Sequence, residues 1–281
     1  MIDGGNLPPA QRERQVKTAL FVLFALLPSL AIAGPAEDLI SGARTECKGC
    51  DLQDVSFKKA DLAGVDLSGA NLTGATFHRA NLKGANLAGA LADGANFNLA
   101  DLGGADFTGA SLKSAFFYGA QLSAAKFGKA NLFDARMQEA RLTGADFTDA
   151  TLDGAVMKNV RLNNANLTGA SLDQTNLSGA SLGRSKFDNA KIVKAAFNQA
   201  TATSASFKAA DIALTDFYAA ELLRADFADA KITDSRFTRA KVQMEQFAAA
   251  SFTRNILPDG RVQDPVADAE GAPTEVAPAA N

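Results

Sequence analysis

The chain has no tryptophan, one histidine, two cysteines and two tyrosines among its 281 residues. The lone histidine, His78, has no second imidazole or nearby cysteine with which to hold a metal. A Ser-His-Asp triad built on it would have no evident cleft to sit in. Charge of one sign is missing too: 28 basic and 31 acidic residues are spread along the chain, for a net charge of −3. No basic stripe tracks a phosphate backbone, so nucleic acid is not an expected partner. A Gly-rich phosphate loop is likewise absent, and neither metal nor cofactor is expected. The apolar share of 47% is carried by Ala, Leu and Phe, a bias that asks for a repeat before a globular core.

The repeat begins at Leu52. A large apolar residue recurs at every fifth position to Leu257 without an insertion, and of these 42 positions only Ala92 and Ala202 are small. Two residues before nearly all of them stands a small residue, Ala in 32 cases. A five-residue step drifts around a helix, and on a flat strand an odd step alternates faces, so neither element buries these residues together. They share one interior only if the chain turns a corner after every five residues and four such segments close a square coil. The expected fold is therefore all-β: a right-handed, four-sided parallel β-helix of about ten coils.

A four-sided coil implies a second period, of twenty, that the five-residue rule does not require. Sorted by twenty, the central positions fall into four columns. Two opposite columns hold Phe at 14 of 21 positions, and the other two hold Phe at 1 of 21. Like residues stacking along an axis is the behaviour of a solenoid.

The segments "ADLAGVDLSGANLTGATF" and "ANLTGASLDQTNLSGASL" resemble the A-[DN]-L-x-x repeats of the pentapeptide-repeat family. That resemblance covers residues 50 to about 257 and implies the four-sided right-handed β-helix already argued. Some family members are cytoplasmic gyrase-binding proteins that mimic DNA. A function of that kind here would require the chain to stay in the cytoplasm.

Residues 1–33 have the three-part pattern of an export signal: Arg12, Arg14 and Lys17, the apolar run "ALFVLFALL", then Ala31-Ile32-Ala33 before a mature start at Gly34. Residues 34–49 read as a capping segment with Leu39, Ile40 and Ala43 on its buried side. Residues 50–257 form the β-helix, and residues 258–281, rich in Pro, Ala and acid, read as a disordered tail.

Cys47 and Cys50 fall at inward positions of the five-residue frame, at the threshold of the first coil. An exported location permits oxidation, and the expected role is a disulfide that staples this end. The alternative is a thiol–disulfide function, since Cys-x-x-Cys can be catalytic, though no βαβ context surrounds it. Haem attachment fails because Asp51 stands where His is needed.

Outward positions are mostly Ser, Thr, Asn, Asp and Lys. Asp61, Asn81 and Asp101 line up in one outward column and Asp66, Asn86 and Asp106 in another; a flat ladder of this kind keeps a surface soluble and cannot wrap calcium. Glycines such as Gly69 and Gly74 recur at the corners. The exceptions on the exterior are Phe116 and Tyr118, flanking Phe117, with Arg136 and Val156 following in the column of Phe116 and Phe133 around the corner. Aromatic residues with Arg are favoured interface anchors, so these five are the candidate partner-binding residues. A weaker cluster is Tyr218 with Leu214 and Leu223. Leu91 is expected outside. Glu245 takes an inward position that a charge cannot occupy, so the last coils should distort, and no evident cap covers Phe247 and Phe252, leaving an end that could pair with a second copy. The sequence thus reads as a periplasmic, non-enzymatic rigid scaffold for an unidentified protein partner, with no membrane span after cleavage.

Overall fold

The structure is a computed structural model that describes residues 34–263, so the expected signal and most of the expected tail lie outside the described residues. The protein is a right-handed, four-sided β-helix. Its rungs pair in parallel at intervals of twenty, from Glu46 with Asp66 to Arg236 with Ile256. Each coil hydrogen-bonds to the next through both backbone partners: Leu52 N–H donates to the Asn71 carbonyl at 2.8 Å, and Asn71 N–H to the Cys50 carbonyl at 2.9 Å. Four short pieces widen into a parallel sheet, β1 (Lys191–Val193), β2 (Asp211–Ala213), β3 (Lys231–Thr233) and β4 (Ser251–Thr253), in the order β1-β2-β3-β4.

Each pentapeptide contributes an inward small residue, an outward residue, the inward central residue and two corner residues. The second corner residue has a positive φ in every segment from Gly49 to Arg239. A turn bond closes most corners, as where Val55 N–H donates to the Leu52 carbonyl at 3.2 Å. A positive φ suits Gly, yet many of these corners hold Ser, Ala, Lys or Arg. The interior dictates the corner, and the corner residue complies.

We number the four faces from the column of Leu52 (face 1), through that of Phe57 (face 2) and Leu62 (face 3), to Leu67 (face 4). The Phe columns are those of faces 2 and 4. Within a column rings stack, Phe77 on Phe97 at 4.9 Å and Phe107 on Phe127 at 5.0 Å. Across the core they meet edge to face, Phe97 against Phe107 at 5.7 Å and 85°. Offset stacks and T-shaped pairs are the two arrangements that ring quadrupoles favour, and a four-sided interior delivers both. Ala92 and Ala202 are buried and leave the ladder unbroken, with Ala92 N–H donating to the Ser111 carbonyl at 2.7 Å and Ala202 N–H to that of Glu221 at 2.8 Å.

The N-terminal end is covered by helix α1 (Pro35–Ser41), which starts on Pro35 with Glu37 and Asp38 in its first turn and stops at Gly42 in the left-handed region. Leu39 is buried against the first coil, and Ala36 packs beside it. Ile40 and Ala43 were expected to join them and do not: Ile40 is 48% exposed and Ala43 lies free of the core. A helix of two turns lays one stripe on a flat end, and positions three apart share it. Ile40 is a neighbour of Leu39 in sequence and so points elsewhere.

At the other end the corner rhythm skips residues 244 and 249 and returns at Arg254. The coil there opens into a 3₁₀ turn, Met244–Phe247, that leaves Glu245 exposed while Phe247 stays buried. Gln246 makes the departure tolerable: its amide donates to the Leu222 and Ala225 carbonyls at 2.9 and 2.7 Å. Residues 258–263, expected in the tail, instead turn back on the last rung. Ile256 pairs antiparallel with Val262, and Gln263 reaches the Phe252 carbonyl at 2.6 Å.

Thr215, Ser235 and Asn255 occupy successive inward positions of face 2 and are buried. Around Ile212 and Ile232 the usual corner bond gives way to side chains. Thr215 N–H donates to Ser235 Oγ at 3.1 Å, Ser235 N–H to Asn255 Oδ1 at 2.9 Å, and Asn255 Nδ2 to the Ile232 carbonyl at 3.0 Å.

Candidate functional site

Phe116, Arg136 and Val156 are consecutive rungs of face 2, paired in register. Their side chains, with Ser114, Asp134 and Gly154, line a shallow recess of about 230 Å³. The Arg136 guanidinium lies 5.4 Å from the centroid of the Phe116 ring, within cation–π range. Phe116 and Val156 are half-buried against the coil and Arg136 is exposed. Phe133 stands on one rim, at the corner between faces 1 and 2. Tyr118 stands on the other, at the corner between faces 2 and 3. Each is 46% exposed. The structure therefore brings three of the five expected residues into one recess and sets the other two on its opposite edges.

Tyr118 is held from both sides. Its N–H donates to Asn98 Oδ1 at 2.7 Å and its hydroxyl to Glu139 Oε2 at 3.0 Å, and that bond to a carboxylate raises the phenol above its ordinary range. Sequence reasoning missed Leu99. It occupies the left-handed corner one coil below Gly119, 39% exposed, with its methyl 2.8 Å from where a Cβ of Gly119 would lie. Its place in the corner column was the available signal.

The second cluster is saturated by its own neighbours. Tyr218 has Arg236 and Arg239 over its ring at 5.2 and 5.8 Å, and Arg239 donates to its hydroxyl at 2.9 Å. Arg236 is in turn paired with Asp216. Leu214 and Leu223 are exposed on other corners.

Cys47 and Cys50 close the first corner around Gly49 and are joined by a disulfide, with Cα atoms 5.3 Å apart. Cys47 is buried and Cys50 half-buried. The acidic columns are amide ladders: Asn81 donates to Asp61 at 2.8 Å and Asn86 to Asp66 at 3.1 Å. Asp66 also accepts from Ser68 N–H at 3.0 Å, and its hydrogen bonds to Ser68 hold its carboxyl below the usual range. Among the described residues no group of three or more His, Cys, Asp or Glu is placed to hold a metal, and no helix is long and apolar enough to cross a membrane.

The family model described as pentapeptide repeats matches in eight copies, over residues 50–89, 80–117, 93–128, 130–169 and 165–201, just over half of the chain. The chain belongs to the pentapeptide-repeat family. Among solved structures it is similar to HetL, a pentapeptide-repeat protein involved in heterocyst differentiation regulation from Nostoc sp. strain PCC 7120. That likeness has 23% identity, 82% of this chain and 99% of that one covered, and a TM-score of 0.46. It is similar as well to Rfr23 from Cyanothece 51142, with 24% identity, 48% and 90% coverage and a TM-score of 0.35. A third likeness is to QnrB1, a plasmid-mediated fluoroquinolone resistance protein, with 23% identity, 59% and 81% coverage and a TM-score of 0.30. No curated protein matches the sequence. For this repeat protein the comparisons speak to the fold, and function has to be argued from the surface.

Proposed function

We propose that this pentapeptide-repeat protein is an exported, non-enzymatic rod that binds a protein partner through face 2, in the periplasm. The observation that carries the reading is the patch of Phe116, Arg136 and Val156, rimmed by Tyr118 and Phe133, which gathers aromatic, apolar and guanidinium groups on one face. Aromatic side chains with an adjacent guanidinium supply large contact area at low entropic cost, which is what anchors an interface. Among the described residues the interior of the coil is filled by buried side chains along its length.

Crosslinking capture of tagged protein from intact cells tests this, comparing wild type with a Phe116→Ser/Tyr118→Ser variant that retains its fold. Loss of a captured protein in the variant supports the face; an identical set from both removes it. Sequencing the mature N-terminus tests export, with Gly34 as the expected first residue. A mature chain that keeps Met1 in the cytoplasm would reopen the DNA-mimic reading.

The bonded Cys47–Cys50 pair favours a second reading, thiol–disulfide exchange. Reductant-dependent turnover of a model disulfide, abolished by Cys50→Ser, would establish it. Pairing of two copies through the C-terminal end rests on the groove of about 390 Å³ beside Met244, Phe247 and Phe252, and a monomeric mass in solution would exclude it.

A further inference from the structure

Along the outward ladder, unlike charges meet in register: Lys126 pairs with Asp106, Arg236 with Asp216 and Lys241 with Glu221, and at a corner Arg254 pairs with Asp234. Where two acids stack, Glu46 on Asp66, one cation serves both: Lys48 Nζ lies 3.2 and 3.4 Å from their carboxylates. Arg141 and Arg161 break this pattern. They are consecutive rungs of face 3, paired in register and both exposed, and among the described residues no carboxylate lies within ion-pair distance of either. Like charges directly opposite in a sheet repel. Lys158, exposed at the corner between faces 2 and 3, adds a third cation without a counter-charge. The surrounding stretch is basic as a whole: between residues 110 and 200 there are eleven Lys and Arg against seven Asp and Glu.

We propose that Arg141 and Arg161 form the docking surface for an acidic α-helix of a partner protein lying along the rod axis. The charge selects an anion, and paired guanidinium groups favour carboxylates, which they grip in a planar, two-pronged geometry. The spacing selects the helix. Rungs repeat at about 4.8 Å, and side chains three or four residues apart on a helix are displaced by about 4.5 to 6 Å along its axis. Glu residues at that spacing meet both arginines at once. The surface continues into the patch already described, because Tyr118 sits at the shared corner and its hydroxyl holds Glu139, two residues before Arg141. The inference rests on the reading of face 2 as a partner site and names the chemistry of the partner.

The test uses the full chain and two alanine-based helical peptides, one with Glu at positions three and four apart and one with Gln in their place. Binding is read by fluorescence anisotropy at low and at physiological salt. Wild type is expected to bind the Glu peptide with an affinity that falls as salt rises, and to ignore the Gln peptide. Arg141→Gln/Arg161→Gln should lose about tenfold or more of that affinity, the scale of a lost charge pair at an interface. At low salt the same variant should melt at a higher temperature than wild type, since the repulsion is gone. Unchanged binding by the double variant, equal binding of the Gln peptide, or equally tight binding of a single-stranded oligonucleotide of the same charge would each overturn the proposal. So would a fall in melting temperature, which would make the arginines structural. The face 2 reading fails separately, through Phe116→Ser/Tyr118→Ser leaving the captured partner in place.

Discussion

The carboxamide of Asn255 donates to the carbonyl of Ile232 at 3.0 Å while accepting the N–H of Ser235 at 2.9 Å. One buried side chain thus satisfies a donor and an acceptor of the coil beneath it. Asn255→Ala leaves both unmet, and each unmet buried group costs about 1 to 3 kcal/mol. Chemical denaturation should show a loss of that order, and hydrogen exchange should place it in residues 231–257, with the N-terminal coils unchanged. Uniform loss of protection along the rod would contradict the assignment.

Reducing the Cys47–Cys50 bond is expected to cost about 2 kcal/mol, because so short a loop restrains little unfolded-chain entropy. In a solenoid each coil touches only its neighbours, so the effect should stay local. Exchange protection should fall in α1 and the first coil of a Cys47→Ser/Cys50→Ser variant, and a shift in the main unfolding transition comparable to that of a core substitution would show that the staple governs the whole rod.

Ala124 and Ala219 sit at left-handed corners with φ of 56° and 54°. An L-residue there is strained by about 1 to 2 kcal/mol relative to Gly. Ala124→Gly and Ala219→Gly should each raise stability by about 1 kcal/mol, part of the relief being spent on Gly's freer unfolded chain. Gly154→Ala should do the opposite and by more, because the new methyl meets the carboxylate of Asp134 from the coil below. Denaturation midpoints of the three variants decide the matter, and equal effects of both signs at Gly154 and Ala124 would refute it.

Asp66 and Asp226 sit below the ordinary carboxylate range, Asp66 chiefly through its hydrogen bonds from Ser68 and Asp226 through that from Ala228 N–H. A carboxylate depressed in the folded state stabilises the fold above its unfolded value near 3.8 and loses that contribution as pH falls through the lower folded value. Stability should therefore be flat from neutrality to about pH 5 and decline below about pH 4. Asp226→Asn should flatten the acid limb, and an acid limb unchanged in that variant would contradict the assignment.

The columns, the corners and the residues of face 2 were legible because the interior imposes a strict period, and outward exceptions to it stand out against a polar background. Glu245 announced a distortion, since a charge cannot enter the core. Its remedy was not legible: nothing in the sequence distinguishes Gln246 from any polar neighbour until its amide is seen on two carbonyls. The same holds for Thr215, Ser235 and Asn255, which stand twenty residues apart and satisfy the backbone only as a stack. Arg141 and Arg161 escaped notice for a related reason. Twenty residues separate them in sequence and one rung separates them in space, so no basic run marks the pair. Residues 258–263 read as tail because Pro258, Asp259 and Gly260 are turn residues, and a turn was there to be formed.

The corner after every fifth residue gives the surface an indexing property. A duplication of five residues anywhere between Cys50 and Phe116 would keep the inward frame and the ladder, at the cost of one mismatch in the Phe columns, yet it would turn everything downstream by a quarter revolution relative to the disulfide-pinned end. A duplication of twenty would move the downstream surface one notch along the axis without rotating it. The recess around Arg136 and the stacked arginines therefore hold their bearing to the N-terminal cap only by the count of residues between them, and length variation in such a rod acts as a dial on the direction in which its surface features point.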